Sequence, residues 1–585
     1  MTWTYPELIE RVQAVLPPGL TVQTQLPANQ SAWLSVPVFK YAKQLDEPLP
    51  TAARDIAKRI EALGDVTVDV SGGFVNITPN EDILVQSLRE SSDNNFGSLE
   101  VGNGETVVID LSSPNIAKPM GIGHLRSTII GDALQRVYRA LGYQVISINH
   151  LGDWGTQFGK LMTAYEQQFG DLVPRSITIP ELLDLYVEFH EEAERDPTLN
   201  DAARAMFQRL EAGDVAVRSL WQSFVDLSLV DFQRIYDRLG VVIDEPAVGE
   251  SFYEKLMPAV IQTAKEQGLA QESDGALVIQ IPGETVPLML QKGDGTTSYA
   301  TRDLAQIKYR IETYQPQRML YVVGNEQSLH FTQLIVAARL LEFIPDGVEL
   351  DHVKFGLIRT AEGKLSTRRG RVIDLEGVLN EAAERALAVL GARETTVDDS
   401  RAIAEAVGIA AVKFFDLFHD RNHDIVFDWD RMLNLKGDSA PYLMYSYTRA
   451  ASILRKSADA LSSRPEGEIS SEHQKSRDFS AKPRNDSLSL LRPDRQAGVT
   501  HYSSLVRTLA KFPLVLEEVV ADNSPHHLAQ YLNQVAAEFH HFYEQYPVLS
   551  SEGDERTTRL AIVQATANVL RRGLDLLGIN VLEEM

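Results

Sequence analysis

The chain has no cysteine among its 585 residues, so disulfides, thiolate metal sites and cysteine nucleophiles are excluded. It also lacks any run of about 18 apolar residues that could span a bilayer. The N-terminal segment MTWTYPELIERVQ does not have the order of basic, apolar and small residues that marks a secretory signal. We therefore expect a cytoplasmic protein without membrane contact and without a structural metal.

Basic residues are in deficit, because 56 Lys and Arg stand against 81 Asp and Glu, and the formal net charge is −25. This balance argues against a nonspecific nucleic-acid binder, since such affinity comes largely from Lys and Arg that neutralise phosphates. It leaves open a folded RNA that is held by local basic and aromatic patches. A negative charge kept for solubility explains the same balance equally well.

The length of the chain and the spacing of its apolar residues indicate separate domains. A chain of this size favours about three. Helical spacing in PELIERVQAVL and PTAARDIAKRIEAL, with alternation in VTVDV and GFVNI, predicts an N-terminal α+β domain over residues 1–104. Five amphipathic segments, among them SSLVRTLAKFPLVLEEVV, predict an all-α helical bundle over 396–585. A stretch rich in Ser, Pro and charge at about 462–498 is expected to be a disordered insertion in that bundle.

The segment between them, residues 105–395, predicts an α/β domain with a Rossmann-like parallel sheet. The strand TVVIDLSS, a glycine loop, a helix that begins near His124 and ends at Gly142, and the strand YQVISINH are the start of a doubly wound sheet. RMLYVVGNE and DHVKFGLIRT are predicted as two further strands. A charged stretch at about 160–235 is expected to be a helical insertion. The predicted fold is therefore multidomain, with ligands at the carboxyl ends of the parallel strands.

The glycine loop and a later basic loop have the residue types of a nucleotide site. Gly121 and Gly123 allow close approach of a ligand, and the N-terminus of the following helix offers N–H groups to phosphate. His124 can donate a hydrogen bond to phosphate oxygens whose charge grows during phosphoryl or nucleotidyl transfer. The loop EGKLSTRRGRVIDL places Lys364 and Arg368 where they can clamp a triphosphate. Taken alone, a tight turn, a capping histidine and a solvated basic turn remain open alternatives.

Together these loops resemble a known family. GIGH followed by KLSTR resembles the two signature motifs of class I aminoacyl-tRNA synthetases. The resemblance narrows to arginyl-tRNA synthetases over nearly the whole chain, through GGFVNI, SSPNIAKPM, GHLRSTIIGD, NHLGDWGTQFGKL, YATRDLA, VVGNEQSLHF, FDWDRML and APYLMYSYTRAASILRK. The chain departs from the family at Gly121, where the first motif usually has His, and at Leu365 and Thr367 in the second motif.

The resemblance implies an arginine-tRNA ligase that is an ATP-binding enzyme of protein biosynthesis. It implies that ATP, with Mg²⁺ on its phosphates, converts L-arginine to arginyl-adenylate, and that the arginyl group then passes to the 3′ end of tRNA(Arg). It further implies that adenylate formation waits for bound tRNA. The residues expected to catalyse by positioning and charge are His124, Lys118, Lys364 and Arg368. The residues expected to bind ATP are Gly121, Gly123, His124, Lys364 and Ser366, with His330 as structural support or an adenosine contact.

Arginine selection needs a carboxylate and polar partners, because a guanidinium presents five planar donors and keeps its charge. SYATRD puts Tyr299 and Asp303 four residues apart on one face of a predicted helix, a spacing that a capping Asp and a packed Tyr also satisfy. The resemblance implies that Asp303 holds the guanidinium and that Tyr299 closes the pocket. It assigns the amino and carboxyl ends of arginine to Asn115 and Gln327, and a second negative charge to Asp110.

The predicted helical bundle resembles the family's anticodon-binding domain. Tyr442, Tyr445 and Arg449 lie at helical spacing, and aromatic rings beside Arg suit unstacked bases, although a tyrosine stripe in a core has the same spacing. The final Met585 matches a terminal tRNA contact of the family, beside Glu584, where relatives commonly carry Arg.

At the other end of the chain, Phe74 and Asn76 match the residues with which the family's N-terminal domain reads a base at the outer corner of tRNA. A packed Phe and a turn-stabilising Asn are the alternative. The expected partners are therefore tRNA(Arg), L-arginine and ATP, and we expect a monomer. Two rival functions stay open: a non-catalytic RNA-binding relative, and a class-I-like ligase that activates another acid without tRNA.

Overall fold

The computed structural model of the protein describes residues 5–24, 32–293, 295–360, 363–364, 374–390, 397–462 and 498–583. The first elements form a small unit of helices on a three-stranded antiparallel sheet. They are α1 (Tyr5–Val15), β1 (Leu34–Pro37), α2 (Phe39–Leu45), α3 (Leu49–Glu61), β2 (Val66–Ser71), β3 (Phe74–Pro79) and α4 (Glu81–Ser91). The helices and strands that spacing predicts here are confirmed, and β1 and α2 are additional.

The central sheet starts with a strand, helix and strand, and a helical stretch then follows. The elements are β4 (Thr106–Asp110), α5 (Ile122–Ala140), β5 (Gln144–Ile148), β6 (His150–Leu151), α6 (Thr156–Phe169), α7 (Ile179–Arg195), α8 (Leu199–Glu211) and α9 (Val215–Leu239). Side chains cap the N-termini of two of these helices. Thr178 and Glu181 form a capping box at α7, and Asp214 accepts hydrogen bonds from backbone N–H groups at α9. The helical character predicted for about 160–235 is confirmed.

The chain then returns to the central sheet by way of a small antiparallel one. The elements are β7 (Val248–Gly249), α10 (Met257–Glu266), β8 (Ala270–Ser273), β9 (Ala276–Ile279), β10 (Leu288–Gln291), α11 (Tyr299–Tyr314), β11 (Arg318–Tyr321), α12 (Ser328–Leu340), β12 (Glu349–His352), β13 (Ile358–Thr360) and β14 (Gly363–Lys364). Short 3₁₀ helices at Glu250–Leu256 and Asn325–Gln327 precede α10 and α12.

The C-terminal part is helical. Its elements are α13 (Leu375–Leu390), α14 (Val397–Phe418), β15 (Ile425–Val426), α15 (Trp429–Met432), α16 (Ala440–Ser462), a 3₁₀ turn (Val499–Tyr502), α17 (Ser503–Ala510), α18 (Phe512–Asp522), α19 (His526–Gln545) and α20 (Gly553–Leu576). The single helix predicted for SSLVRTLAKFPLVLEEVV is wrong, because α17 ends at Ala510 and Pro513 lies in the first turn of α18, where a missing N–H is tolerated. The stretch predicted to be disordered lies mostly outside the described residues.

The central sheet has the order β12-β11-β4-β5, and every neighbouring pair is parallel. Alternate residues of β4 face two different cores: Val107 and Ile109 lie with α5 and the helical parts, and Val108 lies with α10 to α12. Burial on both faces is typical of a parallel sheet. The segment DHVKFGLIRT is not one strand of this sheet as predicted. β12 ends at His352, and β13 pairs instead with β14 and β15.

These features confirm the predicted fold class: a Rossmann-like parallel sheet, an N-terminal α+β unit and a C-terminal helical bundle. Helices α14, α18 and α20 of the C-terminal part pack on α5, the helix that follows the glycine loop. No helix within the described part of the chain combines the length and apolarity needed to cross a membrane.

Candidate active site

A cavity of about 390 Å³ opens at the carboxyl edge of the central sheet. Its lining residues belong to four segments, 112–115, 123–127, 322–327 and 355–358. The first and third segments follow the adjacent strands β4 and β11, from which the chain departs to α5 and α12. This is the point in an open α/β sheet at which ligands bind.

The wall after β4 is held in an uncommon backbone conformation. Ser112 and Ser113 have φ angles of +71° and +51°, which L-residues seldom adopt. The Ser112 N–H donates to Ser127 Oγ at 2.9 Å, and the Ser113 N–H donates to Asn149 Oδ1 at 3.2 Å. The Ser112 and Tyr236 hydroxyls are 2.8 Å apart. Side chains from α5, α9 and the end of β5 therefore fix this strained wall beside the cavity.

His124 lies in the first turn of α5 and lines the cavity. Its Nδ1 accepts a hydrogen bond from the Gly121 N–H at 3.0 Å, so the proton of the neutral ring is on Nε2. Burial lowers the pKa of His124, and the hydrogen bond that Nδ1 accepts from Gly121 also favours the neutral ring. The ring is thus a neutral donor near pH 7, and Gly121 orients it with a backbone group.

Arg126, two residues further along α5, fixes the opposite wall. Its Nη1 donates to the Gly356 carbonyl at 2.6 Å and to the His423 carbonyl at 3.0 Å, and its Nε donates to Asp416 at 3.2 Å. Burial raises the pKa of Asp416, and the Arg126 charge opposes that rise. Sequence reasoning missed this residue, which joins α5, the cavity wall and α14.

Asp110 closes the carboxyl end of β4 and is buried. Its Oδ2 accepts from Arg310 Nη1 at 2.7 Å, and its Oδ1 accepts from the Ser113 hydroxyl at 3.0 Å. The negative charge that the resemblance assigns to Asp110 is therefore already paired with a buried cation. Arg310 was not singled out in the sequence.

Tyr299 and Asp303 lie one turn apart at the start of α11, which Ser298 caps by accepting the Thr301 N–H. Asp303 Oδ2 is 2.7 Å from His330 Nε2, and the rings of His330 and Tyr299 have centroids 4.8 Å apart. Tyr299 is 64% exposed. Asp303 is therefore held from α12 and does not cap its own helix.

Two further titratable residues lie near Asp303 and were missed in the sequence. Burial lowers the pKa of His150, and Asp110 and Asp303 both oppose this, so both carboxylates lie near the ring. Burial raises the pKa of Glu250 to about 7, although Arg302 Nη1 donates to it at 2.7 Å. A region rich in carboxylates therefore adjoins the cavity, connected to it through Asp110 and Ser113.

Of the remaining residues predicted for the site, some line the cavity and others do not. Asn115 and Gln327 line the cavity with His124. Lys118 does not line it; its Nζ lies 4.2 Å from the centroid of the Tyr186 ring on α7, and burial lowers its pKa. The Lys364 backbone pairs with Arg359 in the β13–β14 hairpin, next to the cavity wall. Ser366 and Arg368 lie outside the described residues.

The predicted anticodon residues form one aromatic cluster on α16. Tyr442 and Tyr445 stack on His540 of α19, with centroids 5.1 and 6.2 Å away, and Tyr445 is 42% exposed. Arg449 donates to the Tyr445 hydroxyl at 2.8 Å and lies 4.1 Å from the centroid of the Tyr543 ring. His540 and Tyr543 were missed, although EFHHFYEQ showed aromatics at helical spacing. Met585 lies outside the described residues.

At the N-terminal unit, Phe74 begins β3 and lies edge-on to Phe39, with centroids 5.2 Å apart. Both rings are partly exposed, at 38% and 45%. Asn76 Oδ1 accepts a hydrogen bond from Ser35 at 3.0 Å on the same face of β3 as Phe74. The structure therefore presents an exposed aromatic pair with a fixed amide beside it.

Comparisons with known proteins agree with this arrangement. The family described as tRNA synthetases class I (R), catalytic domain, matches residues 85–429. The DALR anticodon binding domain matches residues 443–585. The chain is 40% identical to the arginine–tRNA ligase of Chloroflexus aurantiacus over the whole of both chains. It is 41% identical to that of Chloroflexus aggregans, over 97% of this chain and 95% of the relative.

Solved structures show the same fold. Arginyl-tRNA synthetase from Plasmodium falciparum superposes with a TM-score of 0.78 at 25% identity, covering 99% of this chain and 98% of that one. Thermus thermophilus arginyl-tRNA synthetase gives a TM-score of 0.79 at 24% identity, covering 99% of both chains. The chain therefore belongs to the arginyl-tRNA synthetase family of the class I aminoacyl-tRNA synthetases.

Proposed function

We propose that the protein is an arginine-tRNA ligase. It activates L-arginine with ATP and transfers the arginyl group to the 3′ end of tRNA(Arg). The observation that supports the proposal is a cavity lined by His124, Asn115 and Gln327, together with an Asp303 carboxylate that His330 holds on the neighbouring helix. The family membership and the helical bundle after residue 396 support the tRNA-dependent part.

The first step is an in-line displacement at the α-phosphate. The arginine carboxylate attacks phosphorus, pyrophosphate leaves, and no side chain becomes a covalent nucleophile. Negative charge grows on the phosphate oxygens, where His124 Nε2–H donates and the N-terminal end of α5 supplies a partial positive charge. Mg²⁺ enters with the triphosphate as part of this substrate. Lys364 and Arg368 supply cations, and Lys118 adds a third once it leaves its place over the Tyr186 ring. Gly123 and Ser366 complete the ATP contacts.

Arginine is held across the boundary of the two sites. Asp303 takes the guanidinium and Tyr299 covers it, while Asn115 and Gln327 bind the amino and carboxyl ends beside His124. Asp110, already paired with Arg310, contributes hydrogen-bond acceptors more than a free charge. A pocket built on a carboxylate rejects uncharged citrulline, because Asp303 would then lose its ionic partner.

tRNA is contacted by separate parts of the chain. Tyr442, Tyr445 and Arg449 stack with anticodon bases, and Met585 adds a terminal contact. Phe74 and Asn76 bind a base at the outer corner. We divide the chain accordingly into a domain at 1–104, a catalytic domain at 105–395 with its helical insertion at about 160–235, and an anticodon-binding domain at 396–585. The cytoplasmic location and the monomeric state stay predictions.

ATP–pyrophosphate exchange tests the proposal. The purified chain is assayed with each standard amino acid, with and without matching tRNA. Among the amino acids, we expect only arginine to support exchange, and only when tRNA is present. Exchange with another amino acid, or none from folded protein that still binds tRNA, would overturn the assignment and favour the rival ligase or the non-catalytic relative.

A further inference from the structure

The carboxylate that the proposed function assigns to the guanidinium is held by a side chain from a neighbouring helix. His330 Nε2 on α12 lies 2.7 Å from Asp303 Oδ2 on α11. The two side chains are 11% and 25% exposed. Among the described residues, the other carboxylate oxygen of Asp303 has no hydrogen-bond partner, so it is available to a ligand.

The His330 ring is fixed on two sides. Its centroid is 4.8 Å from that of Tyr299 and 5.7 Å from that of Phe331. Its Nδ1 is buried and has no hydrogen-bond partner among the described residues. A buried N–H without a partner is costly, so the ring carries its proton on Nε2, where it donates to Asp303.

Within the part of the chain that the structure describes, no Lys or Arg is paired with this carboxylate. Arg302 precedes Asp303 on α11 but donates to Glu250 at 2.7 Å. Arg310 also lies on α11, but it is paired with Asp110. Among the described residues, His330 is therefore the hydrogen-bond partner of Asp303, and it also packs against Tyr299, the second residue assigned to the guanidinium.

We propose that His330 is a positioning residue for arginine selection, because it joins the two guanidinium-binding side chains of α11 in one geometry. Its Nε2–H fixes the carboxylate of Asp303 with one oxygen free for the substrate, and its ring supports Tyr299. It does not touch the reacting atoms. The proposal rests on the proposed function and adds a residue that acts on arginine and not on ATP.

Two substitutions separate this role from simple packing. In His330→Gln the amide nitrogen can occupy the place of Nε2, whereas in His330→Asn the shorter side chain cannot reach Asp303. Both keep an uncharged polar side chain at this position. His501→Gln, at an exposed histidine of the C-terminal part, is the matched control.

The readout is ATP–pyrophosphate exchange by the full chain with saturating tRNA. We expect His330→Asn to raise KM for arginine about 10- to 100-fold, by analogy with the loss of a hydrogen-bonded partner behind a metal ligand, with KM for ATP nearly unchanged. His330→Gln should recover most of this loss, because its amide nitrogen can take the place of Nε2. Equal arginine KM values for the Asn and Gln variants, or equal effects on arginine and ATP, would overturn the proposal.

A double variant provides a second check. If His330 acts through Asp303, adding His330→Asn to Asp303→Asn should cause little further loss, since the two substitutions are coupled. Full additivity would contradict the proposal. Failure of the proposed function itself looks different, because the unaltered chain would then show no arginine-dependent exchange.

Discussion

Arg126 should be the residue on which the cavity wall most depends. Arg126→Met keeps the aliphatic stem but removes a guanidinium that is 1% exposed. The change breaks the bonds to the Gly356 and His423 carbonyls and the ion pair with Asp416. Asp416, itself 4% exposed, then remains a buried carboxylate without a cation. Removal of one partner from such a pair costs about 3–5 kcal/mol of unfolding free energy.

The loss should depend on pH. Burial already raises the pKa of Asp416, and without Arg126 nothing of comparable charge opposes it. A carboxyl group whose pKa is higher in the folded than in the unfolded state stabilises the fold at low pH, and this contribution is lost as the pH rises through the folded-state pKa. Arg126→Met should therefore lose less stability at about pH 5 than at about pH 8.

Urea unfolding followed by circular dichroism measures these differences. Arg59→Met is the matched control, because Arg59 pairs with Asp55 at the surface, where the two side chains are 47% and 51% exposed, and should lose less than about 1 kcal/mol. The double variant Arg126→Met/Asp416→Leu should recover much of the loss, since apolar replacement of a buried pair is often neutral. Similar losses from Arg126→Met and Arg59→Met would refute the reasoning.

The remaining predictions concern the pocket, its pH dependence and the RNA contact. Asp303→Asn should reduce kcat/KM for arginine roughly 30- to 150-fold, equivalent to about 2–3 kcal/mol, with KM for ATP unchanged in pyrophosphate exchange; an unchanged arginine KM would contradict the assignment, and exposed Asp346→Asn is the control. Because burial raises the pKa of Glu250 from 4.5 to about 7, its contribution to stability falls as the pH rises across that interval, by up to about 3 kcal/mol. In urea unfolding, the advantage of Glu250→Gln over the original chain should therefore grow from about pH 5 to about pH 8, and a constant difference would speak against a raised pKa. Tyr445→Ala should weaken tRNA binding in a filter assay by about 1–3 kcal/mol, while Tyr445→Phe keeps the stacking ring; equal loss in both variants would exclude stacking as the contact.

Residue spacing predicted the structure correctly where a segment forms its helix or strand from its own sequence. The strand and helix around the glycine loop, the helical stretch at about 160–235 and the turn that separates Tyr299 from Asp303 all follow from periodicity and spacing. The same reasoning failed at Pro513, where apolar periodicity continues across a helix boundary. It also failed at DHVKFGLIRT, because strand pairing depends on distant segments such as β15.

Long-range partners could not be predicted from one sequence. Arg126 and Asp416 are 290 residues apart, and Asp110 and Arg310 are 200 residues apart. In the sequence, a buried arginine on a helix looks like a surface charge, and its partner has no local signal. The role proposed for His330 likewise depends on its contact with Asp303 on another helix. Such side chains meet because two helices pack against each other, and the spacing of residues within either helix does not reveal that contact.

Aminoacylation of tRNA with radiolabelled arginine tests the central claim most directly. The unaltered chain, ATP with Mg²⁺ and tRNA(Arg) are combined, and acid-precipitable label is measured with arginine and with citrulline. The account predicts label on tRNA from arginine, none from citrulline, and loss of the arginine signal in Asp303→Asn at low substrate. Equal charging of arginine and citrulline, or no charging by a folded chain, would contradict it.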